Sequence, residues 1–169
     1  MSTRQQSERP SILIVEDHED TACLVQFVLE REGYAVTSLP NGRAAQRLMA
    51  SAVPPQVVLL DIGLPDMTGL DLLRAIRTTP EWQWVPVLLL TADTRSETMI
   101  AAAHLGATEY VQKPFAAERL LASVRRFLPE PHHRAESSAK PDHADTPVVP
   151  HQHDRPTGSQ MIHDKGDQI

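Results

Sequence analysis

Glu16 and Asp17 follow the apolar run Ile12-Leu13-Ile14-Val15, Asp61 closes Val57-Val58-Leu59-Leu60, and Thr91 closes Val87-Leu88-Leu89-Leu90. Lys113 stands two residues beyond Val111, at the end of a fourth short run. Each polar group therefore terminates a stretch that reads as a buried strand. If the strands are parallel neighbours, three acids, a hydroxyl and an ammonium converge at their carboxyl ends, where open α/β sheets bind ligands. Two acids on one strand end and one on another suit a divalent cation with oxygen ligands. Mg2+ usually takes one or two carboxylates, keeps several waters and accepts phosphate oxygens. Asp17 and Asp61 are the expected direct ligands, with Glu16 acting through water. An acid placed directly after four large apolar residues and beside two others is electrostatically costly without a cation. Such a carboxylate can also attack phosphorus as a nucleophile. Lys113 would then bring positive charge to the phosphoryl oxygens, and the Thr91 hydroxyl a hydrogen bond.

Each residue also has a plainer reading. Glu19 and Asp20 follow Glu16-Asp17, so the acids fit a helix entry, where negative charge is favoured. Asp61 fits a turn cap before Pro65, Thr91 a helix N-cap, and Lys113 an exposed lysine. Their joint placement at four strand ends outweighs those separate accounts.

The elements that must position these groups alternate along the chain. The pattern predicts strands over Ser11–Glu16, Ala35–Leu39, Val57–Asp61, Val85–Thr91 and Glu109–Gln112. It predicts helices over Asp20–Glu32, Gly42–Ser51, Gly69–Thr78, Arg95–Leu105 and Ala116–Leu128. Gly33 is placed to stop the first helix, and Pro54-Pro55 breaks the chain after the second. In the first helix Ala22, Cys23, Val25, Phe27, Val28 and Leu29 fall largely at helical spacing, so Cys23 is expected to be a small core residue. Near-continuous apolar strands imply burial on both faces, hence a parallel sheet covered by helices. Right-handed crossovers then give an α/β, doubly wound, five-stranded parallel sheet of flavodoxin-like (βα)5 type. Trp82 and Trp84, in the loop before the fourth strand, are expected to pack into the protein.

The chain has 169 residues and a formal net charge of −6. Its first 128 residues carry 12 basic and 15 acidic side chains, which argues against a nucleic-acid-binding surface. No stretch approaches the ~18 apolar residues of a membrane span, and the polar start is no signal peptide, so a cytoplasmic location is expected. Composition changes after Leu128. Residues 129–169 hold six of the 14 prolines and six of the eight histidines, with no aromatic residue. Such a segment buries too little apolar surface to offset its ordering entropy and is expected to be a disordered tail. His132-His133 and His151-Gln152-His153 in it are read as solvated, because no fixed geometry holds four ligands there. Residues 1–10 read as a short disordered arm, leaving residues 11–128 as the folded domain.

Over about residues 11–128 the chain resembles the receiver domain of two-component response regulators. The resemblance rests on Glu16-Asp17, the loop Asp61-Ile62-Gly63-Leu64-Pro65-Asp66-Met67-Thr68-Gly69, Thr91-Ala92 and Lys113-Pro114-Phe115. It implies that Asp61 accepts a phosphoryl group from a sensor histidine kinase or histidine phosphotransfer protein. It implies Mg2+ held by Asp17, Asp61 and the Gly63 carbonyl, with Glu16 assisting through water. Thr91 and Lys113 would contact the phosphoryl group, Tyr110 would change rotamer on activation, and the Lys113-Pro114 peptide would be cis. Three positions depart from or leave open the family pattern. Glu16 stands where the family often has a second Asp, and Gly63 and Asp93 flank the path of hydrolytic water.

The function expected is that of a single-domain response regulator that signals to an unknown protein target by altered contacts. Its switching surface would comprise Arg95–Leu105, the Tyr110 strand and Ala116–Phe127. A phosphorylation-independent binding module is the alternative of a different class. A Mg2+-dependent phosphatase ranks lower, because Gly63 stands where that chemistry usually needs a general acid.

Overall fold

The computed structural model describes residues 9–92 and 95–128. The expected tail, most of the expected arm, and Asp93 lie outside the described residues. Ten elements alternate along the chain: β1 (Ser11–Val15), α1 (Glu19–Arg31), β2 (Ala35–Leu39), α2 (Gly42–Met49), β3 (Val57–Asp61), α3 (Gly69–Thr78), β4 (Val87–Thr91), α4 (Ser96–His104), β5 (Glu109–Gln112) and α5 (Ala117–Arg125). The strands form one parallel sheet in the order β2-β1-β3-β4-β5. This is the doubly wound, flavodoxin-like arrangement, in which the order reverses beside β1.

Two-residue alternation sorts the strand side chains to two faces. Leu13, Val15, Val58, Leu60, Val87 and Leu89 pack with Ala45 of α2, Leu72, Leu73 and Ile76 of α3, and Ala102 of α4. Ile12, Ile14, Val57, Leu59, Leu88, Leu90 and Val111 pack with Val25 and Leu29 of α1 and with Leu120 and Val124 of α5. The central strands β3 and β4 are buried along their whole length, as their unbroken apolar runs require, whereas the edge strand β2 is nowhere fully buried.

Local chemistry sets the helix ends. The Asn41 side chain accepts the Ala44 N–H at 2.8 Å and caps α2. Thr68 and Asp71 cap α3 reciprocally, the Thr68 hydroxyl accepting from the Asp71 N–H and the Asp71 carboxylate from the Thr68 N–H. Gly33 follows α1 with φ 94°, a left-handed conformation that glycine adopts without strain.

Two side-chain expectations are corrected. Cys23 is exposed, and Phe27 with it, because the buried stripe of α1 is Ala22, Val25 and Leu29. Cys23, Leu24 and Phe27 turn away from that stripe. Trp82 is buried as expected, but Trp84 is 85% exposed. The turn between α3 and β4 directs one indole into the core and the other, two residues later, into solvent. No helix among the described residues is long and apolar enough to cross a membrane.

Candidate phosphoacceptor site

The site is assembled at the carboxyl rim of β1, β3, β4 and β5. Beyond β1 the Glu16 N–H donates to the Leu39 carbonyl at 3.0 Å, prolonging the pairing with β2 by one bond. That bond leaves the Glu16 side chain fully buried, while Asp17, one residue on, keeps a partly exposed carboxylate. Asp61 is the last residue of β3 and is 5% exposed; Thr91, the last of β4, is buried beside it. The chain leaves β5 with the Lys113 N–H donating to the Thr91 carbonyl at 2.8 Å. This bond fixes where the lysine starts, since β5 stops at Gln112 and strand alternation does not reach residue 113. The Lys113-Pro114 peptide is cis, as the resemblance implied.

From there the Lys113 ammonium reaches across the rim. It donates to Glu16 Oε2 at 2.5 Å and to Asp61 Oδ1 at 3.1 Å, with its side chain largely buried. One ammonium thus stands among three carboxylates. Donor atoms of Glu16, Asp17, Asp61 and His18 all lie within 4.8 Å of one another. Carboxylates so close, with less positive charge than negative, are the arrangement a divalent cation relieves. Their hard oxygens suit Mg2+.

Above the rim opens a cleft of about 560 Å³, whose lining includes Asp61, Gly63, Thr91 and Lys113 together with His18 and Arg95. Gly63 matters by what it lacks. A Cβ there would lie 3.6 Å from Asp61 Oδ2, so a larger side chain would stand over that oxygen. Gly69 is more tightly constrained, because a Cβ would overlap the Asp61 carbonyl and lie 2.7 Å from Ile62 Cα.

The structure therefore brings Glu16, Asp17, Asp61, Thr91 and Lys113 together and places Gly63 on the cleft wall. It places Tyr110 elsewhere. Tyr110 packs against the α2–α4 side of the core, and its hydroxyl donates to the Met99 carbonyl of α4 at 3.0 Å. Burial pushes its phenol pKa up from the ordinary value.

Sequence reasoning missed two residues that border the site. His18 turns Nδ1 toward the acids, 3.1 Å from Asp17 Oδ1 and 3.3 Å from Glu16 Oε1. Its adjacency to Glu16-Asp17 was the available signal. Asp66 clamps the loop after β3 to the start of α2, accepting the Gly42 N–H at 3.0 Å and the Arg43 N–H at 2.8 Å. Desolvation pushes the Asp66 carboxyl up, but the Arg43 and Gly42 N–H groups outweigh it and hold the pKa below the usual aspartate value. The clamp joins residues 24 apart in sequence, and no local pattern announces it.

Comparison with known proteins bears on the family and the fold. The family model described as the response regulator receiver domain matches residues 12–125. The uncharacterized transcriptional regulatory protein YkoG of Bacillus subtilis is 43% identical over 122 residues, covering 72% of this chain and 52% of that protein. The chain spans about half the length of several such curated relatives. Among solved structures, the chemotaxis response regulator CheY4 of Vibrio cholerae superposes with a TM-score of 0.67 at 31% identity, over 71% of this chain and 99% of that one. The receiver domain of the Pseudomonas aeruginosa sensor histidine kinase PA1611, solved with a magnesium ion in its active-site cleft, gives a TM-score of 0.65 at 28% identity. It covers 70% of this chain and 97% of that one.

Proposed function

The chain belongs to the receiver-domain family of response regulators, and on that footing we propose that Asp61 is its phospho-acceptor, charged by a sensor histidine kinase or a histidine phosphotransfer protein. The observation that carries this reading is the buried Asp61 carboxylate, held by Lys113 through Oδ1 and lying on the Gly63 side of the cleft through Oδ2. In the transfer a carboxylate oxygen bonds to phosphorus as the phosphorus–nitrogen bond of the donor phosphohistidine breaks. The released imidazole nitrogen keeps the electron pair and takes a proton from solvent. Mg2+, when bound, would neutralise the charge that gathers on the phosphoryl oxygens.

The protein's own residues do the rest. Asp17, Asp61 and the Gly63 carbonyl would hold the cation, with Glu16 assisting through water. Glu16 also keeps the Lys113 ammonium at the rim, ready to move from Asp61 Oδ1 to a phosphoryl oxygen. The buried Thr91 hydroxyl would meet a second oxygen, and its movement would bias the α4–β5–α5 face. Tyr110 couples to that movement through its bond to α4 and the packing beneath it. Output passes through protein contacts on that face. We place the receiver at residues 11–128, where Leu128 is still buried in the α1–α5 core.

The test is intact mass after incubation with Mg2+ and acetyl phosphate. One added phosphoryl group is expected, and a chain ending at Leu128 should gain it equally. A parent chain that never gains the mass would favour the phosphorylation-independent binding module.

A further inference from the structure

His18 takes no part in the proposed transfer, and its side chain is 72% exposed, yet Nδ1 is turned toward the acids. Its backbone N–H already donates to Glu16 Oε1 at 3.3 Å, so the turn after β1 is held by the main chain without the imidazole. Nδ1 nevertheless lies 3.1 Å from Asp17 Oδ1 and 3.3 Å from Glu16 Oε1. Two ligands of one tetrahedral Zn2+, each about 2.0–2.2 Å from the ion, stand roughly 3.3–3.5 Å apart. The His18 separations come close to that spacing. The opposite carboxylate is in range too, since the donor atoms of Glu16, Asp17, His18 and Asp61 share one 4.8 Å neighbourhood.

The chemistry of the donor set has changed with this residue. Three carboxylates alone select hard cations such as Mg2+. An imidazole nitrogen among them favours borderline cations, whose affinity for mixed nitrogen and oxygen sites exceeds that of Mg2+. We propose that His18 makes this acidic rim a mixed nitrogen–oxygen site for Zn2+, in which His18 Nδ1, Asp17 and Asp61 bind the ion and thereby hold the acceptor carboxylate out of phosphotransfer. The regulatory half of this inference rests on the proposed role of Asp61; the metal-binding half does not. Mg2+ gains nothing from the imidazole, so His18 separates the two cations. It is a specificity residue for the metal and not part of the transfer itself.

The experiment uses the full chain and its His18→Gln variant, so that the six histidines of residues 129–169 are common to both. Zn2+ is supplied at buffered free concentrations against a constant excess of Mg2+. Two readouts are followed: the side-chain nitrogen resonances of histidine by NMR, and Asp61 labelling by acetyl phosphate measured as intact mass. The expected result is that Zn2+ shifts the His18 Nδ1 resonance and blocks labelling of the parent. His18→Gln labels like the parent in Mg2+ alone but needs at least ~10-fold more free Zn2+ for the same block, the loss that even an indirect ligand contact can produce. A His18 resonance that Zn2+ does not move overturns the site. Equal Zn2+ sensitivity of the two chains overturns the role of His18. A parent that shows the shift but is never labelled in Mg2+ alone sinks the phospho-acceptor reading and leaves the Zn2+ site standing.

Discussion

At the amino-terminal rim of the sheet, the Arg77 guanidinium donates to the carbonyls of Gly106, Gln83 and Val85 at 2.8–3.1 Å. It ties the end of α3 to the segments that lead into β4 and β5. Burial pushes its pKa down, and its donors are met by uncharged carbonyls, so hydrogen bonds and not a counter-charge satisfy it. At the carboxyl-terminal rim one ammonium stands among three carboxylates, two of them buried. The donors of the first rim are met by hydrogen bonds as it folds. The second crowds like charges, the arrangement a cation relieves, and it places its exposed histidine and its cleft on that same side. Removing a charge should therefore cost function at one rim, and removing a packed group should cost stability at the other.

The largest effect expected is at the carboxyl rim. Asp61→Asn should abolish the mass gain with acetyl phosphate and Mg2+, because an amide is neither ionised nor comparably nucleophilic. Its melting temperature should stay level or rise, since one of the crowded carboxylates is gone. A variant labelled as fully as the parent would remove Asp61 as acceptor. At the opposite rim the reverse pattern is expected. Trp82→Ala should cost about 3–5 kcal/mol in denaturant unfolding, the range for truncating a buried aromatic. Trp84→Ala, two residues on, should stay within about 0.5 kcal/mol of the parent. Equal costs at the two positions would contradict the opposite burial of the two indoles.

That pair also marks how far the sequence could be read. Strand and helix identities, and most boundaries to within one or two residues, follow from apolar runs and stop signals. The convergence of Glu16, Asp17, Asp61, Thr91 and Lys113 follows from strand ends alone. Which apolar side chain faces inward does not. Cys23 and Phe27 are apolar but sit off the three-residue stripe that meets the sheet, and Trp84 differs from Trp82 only in the course of a turn. His18 and Asp66 were hidden for a different reason. One depends on how the chain bends after β1, the other on a loop meeting a helix start 24 residues away.

A smaller effect is expected from Asp17, which is more exposed than Glu16 and is not paired with Lys113. Asp17→Asn should weaken Mg2+ binding about tenfold or more and slow labelling. In the absence of Mg2+ it should melt slightly higher, because like charges repel less. Calorimetric titration with Mg2+ measures the first effect, and unchanged affinity would take Asp17 out of the ligand set.

The smallest effect belongs to Asp66, whose partners are all neutral N–H groups apart from the nearby Arg43 charge. Its folded pKa lies below the ordinary aspartate value of 3.8, so the ionised carboxylate is the form the α2 N-terminus favours. A group with a depressed folded pKa contributes stability that is present above the unfolded value and is lost as pH falls through the folded one. Asp66→Asn keeps an oxygen that can accept one N–H but has no charge to lose. The parent should therefore melt higher than the variant at neutral pH, and the gap should close as pH drops through and below 3.8. Labelling of Asp61 at neutral pH should persist in the variant, because the clamp holds the outer part of the loop and not the carboxylate itself. Thermal melts of both chains across that range decide the matter, and a gap that stays constant with pH would show that Asp66 acts by shape and not by charge.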